Sequence, residues 1–135
     1  MVVVSACLAG VGCRYDAVPC PEPEVLALLE QGRALPVCPE QLGGLPTPRE
    51  CIEILGGRVR ARSGADVTEA VFRGAREALR LAQMSGCRRA LLKTRSPTCG
   101  VGRIYDGTFT GVMIPGNGVF AQMCLDAGLE VAARG

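Results

Sequence analysis

Residues 2–6, Val-Val-Val-Ser-Ala, make a β-branched apolar run near the start of the chain. A run this short and this apolar reads as a buried strand. Ala34–Val37, Ala90–Lys93 and Leu129–Ala132 are similar, and the stretches between them carry helical periodicity. One helix starts near Pro23, shows Val25, Leu26 and Leu29 on one face, and stops at Gly32. The longest opens at Asp66-Val67-Thr68-Glu69, a capping-box variant with Asp66 as N-cap, and runs through Val71, Phe72, Ala75, Ala78, Leu79 and Ala82 to Gly86. A third is capped by Asn117, carries Val119, Phe120, Met123 and Ala127, and ends at Gly128. Strands alternating with helices predict an α/β fold: a small, mostly parallel sheet with helical crossovers in a three-layer, Rossmann-like arrangement. Cys51–Leu55 and Arg58–Arg62, joined by Gly56-Gly57, add an inserted β-hairpin. Its register places Ile54 opposite Val59 and Glu53 opposite Arg60, the latter as an ion pair. Residues 38–50 read as one long loop, and a loop of that length is usually functional.

At 135 residues the chain is expected to form a single domain, 1–135. There is no His, which removes Ser-His-Asp and Cys-His catalysis, His-liganded zinc and every imidazole proton transfer. Net charge is +2, and the basic residues are scattered, so no nucleic-acid partner is expected. No apolar run approaches the ~18 residues that span a bilayer, and the N-terminus lacks the basic segment of a signal peptide. A cytoplasmic location without membrane contact follows as the expectation. Oligomeric state has no signature in the sequence.

Eight cysteines in a chain with no export signal read as reduced thiols. Cys7 follows the first strand, Cys38 the second, and Cys99 lies just beyond the third. Ligands in open α/β sheets bind outside the carboxyl ends of the strands, so the three thiols are expected to meet at one edge. Their spacing leaves several meanings open. They are small buried hydrophobes, ligands of an iron–sulfur cluster, or a zinc or redox site. Zinc is disfavoured by the absence of a Cys-x-x-Cys pair. Glu40, two residues past Cys38, and Ser96, three before Cys99, supply a carboxylate and a hydroxyl for proton chemistry without His. The ordinary alternative makes Glu40 a solvated loop charge and Ser96 a turn former. Gly100-Val-Gly-Arg103 has the look of a phosphate cradle without its complete pattern. Cys20, Cys51, Cys87 and Cys124 read as structural.

Seven blocks, in order along the chain, resemble the thiouracil desulfidase family. They are Val4–Gly10 (VSACLAG), Cys13–Asp16 (CRYD), Val37–Glu40 (VCPE), Gly43–Arg49 (GGLPTPR), Gly64–Thr68 (GADVT), Ser96–Gly100 (SPTCG) and Ile104–Phe109 (IYDGTF). Ala9 and Thr98 stand where the family more often has Leu and Ser. The resemblance implies a [4Fe-4S] cluster on Cys7, Cys38 and Cys99, with Glu40 and Ser96 as catalytic residues. It also implies removal of sulfur from a thio-nucleobase such as 2-thiouracil to give the oxo base and sulfide. Cys13 ranks fourth among the thiols, because Arg14, Tyr15 and Asp16 beside it read as a pocket wall. A cluster-binding or thiol-sensing module without turnover is the alternative in a different class.

Overall fold

A computed structural model describes all 135 residues. Four strands, β1 (Val2–Ser5), β2 (Ala34–Val37), β5 (Arg89–Lys93) and β8 (Glu130–Arg134), form a parallel sheet in the order β2-β1-β5-β8. Parallel neighbours need crossovers, and these are α1 (Pro23–Glu30), α3 (Thr68–Met84) and α4 (Val119–Asp126). The hairpin β3 (Ile52–Leu55) and β4 (Arg58–Ala61) has the expected register, with Ile54 opposite Val59 and Glu53 opposite Arg60.

The central strands face apolar partners on both sides. Val2, Val4 and Leu91 pack with Val25, Leu28 and Leu29 of α1. Val3, Ala90 and Leu92 point the other way, into Val71, Ala75 and Ala78 of α3 and Phe120 and Ala121 of α4. The sheet is therefore covered on both faces, as its unbroken apolar strands require. Val3, Val4, Leu91 and Leu92 are fully buried, each contributing about 1.5–3 kcal/mol of transfer free energy.

The structure departs from the sequence expectations in five places. Glu53 makes no ion pair with Arg60, its carboxylate accepting the Gly107 and Phe109 N–H groups instead. Residues 39–42 are not loop but a single helical turn, α2 (Pro39–Leu42), with Cys38 at its N-cap and Pro39 first in the helix. Residues 103–118 contain a second hairpin, β6 (Arg103–Tyr105) with β7 (Met113–Pro115). Asp66 does not cap α3, whose N-cap is Val67; its carboxylate instead takes Arg58 Nε at 3.0 Å and the Thr68 N–H at 3.0 Å. Asn117 does not cap α4 either, since Gly118 holds that position and the Asn117 Oδ1 accepts from the Gly102 N–H at 2.8 Å.

Two glycines decide where α2 sits. A Cβ on Gly74 would collide with the Pro39 carbonyl oxygen, and one on Gly43 with that of Ala70. Glycine at both positions lets the backbones of α2 and α3 touch, which fixes the turn that carries Glu40.

Candidate active site: a thiol-lined cavity at the strand ends

A cavity of about 450 Å³ opens beyond the carboxyl ends of β1, β2 and β5. Cys7, Cys38 and Cys99 all line it, with Glu40 and Ser96. Cys13 is a fourth thiol in the same wall, 2% exposed, flanked there by Arg14 and Tyr15. Cys51 also reaches the cavity, although its place on the hairpin read as structural. Cys87 and Cys124 lie instead in the apolar core beneath α3 and α4. Cys20 accepts from Arg14 Nη1 at 3.0 Å, outside the cavity. A smaller groove lined by Val11, Pro36, Leu42 and Leu81 also reaches Cys38.

The thiols are electrostatically distinct. Cys13 shares its proton with the sulfurs on either side, which lowers Cys7 and brings Cys38 down to about 7. Held between two sulfurs and buried, Cys13 itself is pushed far up and stays protonated. Burial raises Cys99 well above the ordinary thiol value. Lys93 stands near Cys7 and Arg49 near Cys38, so positive charge accompanies the two thiols that ionise most readily.

Glu40 is not a solvated loop charge. It is 9% exposed, and both carboxylate oxygens are engaged. Oε1 accepts from Arg49 Nε at 2.9 Å, and Oε2 accepts from the Thr98 hydroxyl at 2.8 Å. Arg49 uses its remaining nitrogens on the carbonyls of Cys13 (2.9 Å) and Pro46 (3.2 Å) and on the Thr47 hydroxyl (2.9 Å). One buried guanidinium thus ties together the loop bearing Cys13, the turn bearing Cys38 and Glu40, and its own segment. Ser96 Oγ accepts the N–H groups of Thr98 (3.1 Å) and Cys99 (3.0 Å), closing the Ser-Pro-Thr-Cys turn. The same turn plugs the start of α4: Val119 N–H donates to the Pro97 carbonyl and Phe120 N–H to that of Thr98. These carbonyls satisfy the helix end that Asn117 leaves uncapped. A Cβ on Gly118 would stand 2.5 Å from the Thr98 carbonyl carbon, so glycine is what permits the approach.

Arg49 and Thr98 lie in the family-like blocks Gly43–Arg49 and Ser96–Gly100, but nothing in those blocks points to Glu40, which their contacts reach across 9 and 58 residues. The Gly-Val-Gly-Arg segment is not a phosphate cradle. Its amides are already used, Gly100 N–H on the Ser96 carbonyl and Gly102 N–H on Asn117.

The donor set suits an iron–sulfur cluster. Soft thiolates are its natural ligands, and several thiols share one wall. The Cys-x-x-Cys pair usual in zinc sites does not occur in the chain. A cubane would take Cys7, Cys38 and Cys99 each on a separate iron.

A model of the 2-thiouracil desulfurase family matches residues 2–134. The chain belongs to that family. Among proteins similar to this family member is the uncharacterized protein YbbK of Bacillus subtilis (strain 168), 40% identical over 144 residues that cover 99% of this chain and 95% of that protein. Among solved structures, the [4Fe-4S]-dependent thiouracil desulfidase TudS superposes with a TM-score of 0.94 at 45% identity, over 98% of this chain and 89% of that one. The parallel sheet, the crossover helices and the inserted hairpin are therefore the fold of a desulfidase. No helix in this family member is long and apolar enough to cross a membrane.

Proposed function

We propose that this chain, acting as one domain over residues 1–135, is a desulfidase that converts a thio-nucleobase of the 2-thiouracil class to its oxo base and hydrogen sulfide. The overall change is hydrolytic. Water supplies the oxygen that replaces sulfur on the ring carbon, its protons leave with the sulfide, and no external oxidant or reductant is consumed. The observation that carries the reading is the meeting of Cys7, Cys38, Cys99, Glu40 and Ser96 in one cavity, drawn from three strand ends. Likeness to a desulfidase described as [4Fe-4S]-dependent supports the same cofactor here, on Cys7, Cys38 and Cys99.

When bound, a [4Fe-4S] cluster held by three protein thiolates supplies an iron with a free coordination position, a Lewis acid matched to a soft thiocarbonyl sulfur. The chain provides the rest. Arg49 and Thr98 hold the Glu40 carboxylate in one orientation, and each oxygen keeps a lone pair beyond the bond it already accepts. Glu40 takes the proton of the water that attacks the ring carbon. Ser96 Oγ accepts two backbone N–H groups, so its own hydrogen is left to donate toward the departing sulfur. Neither step needs histidine. The scattered charge of +2 and a cavity of about 450 Å³ favour a free small molecule over nucleic acid or a membrane surface, and a cytoplasmic setting is part of the same proposal.

Purification without oxygen, followed by iron and acid-labile sulfide analysis and assay with 2-thiouracil, tests the proposal. Iron with sulfide, and uracil formed one-for-one with released sulfide, is the expected result. Glu40→Gln should keep the cluster and lose at least ~100-fold in kcat, the low end for removing a positioned base. Stoichiometric zinc without sulfide, or a cluster-loaded protein that leaves 2-thiouracil intact, would refute it.

A further inference from the structure

One wall of the cavity has no part in the chemistry above. Phe109 lines it, on the loop between β6 and β7, with a φ of 59°. A bulky aromatic in the left-handed region is uncommon, and such a residue persists only where its surroundings dictate the conformation. Here they do. The carboxylate of Glu53, 8% exposed, accepts the N–H groups of Gly107 at 3.0 Å and Phe109 at 3.2 Å. The ion pair expected between Glu53 and Arg60 is therefore not formed, although the two residues are opposite each other. Asp106 tightens the same loop by accepting from the Thr108 N–H (2.9 Å) and hydroxyl (2.6 Å). The loop thus holds a ring at the cavity wall at the expense of backbone comfort.

The guanidinium of Arg62 lies over that ring, 5.5 Å from its centroid, and itself lines the cavity. An aromatic ring at the cavity wall is a stacking surface for a planar, polarizable partner. A thiocarbonyl-bearing pyrimidine is such a partner. We infer that Phe109 is the stacking surface that orients the thio-base ring, so that its sulfur is turned toward the thiols and its ring carbon toward Glu40. The inference rests on the desulfidase reading and adds a specificity-determining residue to it. It predicts that planar six-membered thioamide rings are accepted and that non-planar or acyclic thioamides are discriminated against.

The test uses cluster-loaded protein prepared without oxygen. Phe109→Asn removes the ring while placing a residue that tolerates positive φ, so the loop keeps its shape. It should raise KM for 2-thiouracil about ten-fold, the scale of one lost base-stacking contact, with kcat changed far less. Phe109→Trp should keep KM near the wild-type value and introduces the only tryptophan of a chain that has none. Its fluorescence should change saturably as uracil, the unreactive product, is added. A KM within two-fold of wild type for Phe109→Asn, or an indole signal indifferent to uracil, would overturn the inference. If the Asn variant fails to fold, the Trp titration decides alone. Wild-type protein that releases no sulfide from 2-thiouracil would instead sink the desulfidase reading, a result read before any variant is made.

Discussion

Replacing Arg49 with alanine should cost this fold more than almost any other single change at the cavity. The Arg49 and Glu40 side chains are only 7% and 11% exposed, which takes their 2.9 Å pair out of the class of surface ion pairs worth about 0–1 kcal/mol. Deleting one partner of a buried pair leaves the other charge uncompensated, at about 3–5 kcal/mol. Against a total stability of about 5–15 kcal/mol for a domain, that is a large share. The carbonyls of Cys13 and Pro46 lose their donors as well. Arg49→Lys keeps the charge but not the fork, and should fall between alanine and wild type. Removing both charges, as Arg49→Met with Glu40→Gln, should recover part of the loss, because no bare carboxylate remains. Urea unfolding of the cluster-free, reduced protein, applied to wild type, Arg49→Met, Glu40→Gln and the double variant, measures all four corners of this cycle. Coupling below about 0.5 kcal/mol, or an Arg49→Ala variant within about 1 kcal/mol of wild type, would refute the claim that Arg49 holds Glu40. The kinetic counterpart is a fall in kcat for Arg49→Ala that Arg49→Lys partly restores.

Three further outcomes are expected. Cys7→Ser, Cys38→Ser and Cys99→Ser should each abolish or cripple cluster binding, whereas Cys87→Ser and Cys124→Ser should retain it, read by visible absorbance and iron content after anaerobic reconstitution. Gly74→Ala gains about 1 kcal/mol of helix propensity but drives a methyl group into the Pro39 carbonyl, so a net loss of at least about 1 kcal/mol should appear in urea unfolding. In cluster-free protein, Cys38 with its value near 7 should be alkylated above neutral pH and lose reactivity as pH falls through 7. Cys124, raised to about 12, should stay unmodified, and Cys13→Ala should move the Cys38 profile upward, as peptide mapping across a pH series can show.

The sequence carried the sheet well, because a strand buried on both faces has no polar positions to disguise it. Val2–Ser5, buried throughout, lies where its apolar run predicts; Ala34–Val37 is found by its run too, although it is an edge strand with Pro36 exposed; and Gly56-Gly57 set the hairpin register. The errors share one cause. The partners expected for Asp66, Asn117 and Glu53 are near ones, yet each side chain also or instead meets a group brought in by tertiary structure: Arg58 for Asp66, which keeps the Thr68 N–H as well, Gly102 for Asn117 and Gly107 for Glu53. Glu40 shows the same effect at the site. Its position after Cys38 was legible, but its burial and its two partners were not, since they depend on a loop nine residues on and a turn fifty-eight residues on. The short helix α2 escaped notice because four residues carry no periodicity, and its stability comes from the glycine contacts with α3.

The strand-end thiols Cys7, Cys38 and Cys99 are brought together by the sheet rather than by local spacing. A zinc knuckle can close around its ion while the rest of a chain is still being made, because its ligands are near neighbours. Here the last of the strand-end thiols is Cys99, and its turn is locked only when Val119 and Phe120 of α4 donate to Pro97 and Thr98. On the ligand set proposed above, a nascent chain on the ribosome therefore lacks the third thiolate until β5 and the turn at Cys99 have been made. Whatever delivers the cofactor has to recognise a nearly finished protein, with the sheet assembled and the cavity already open.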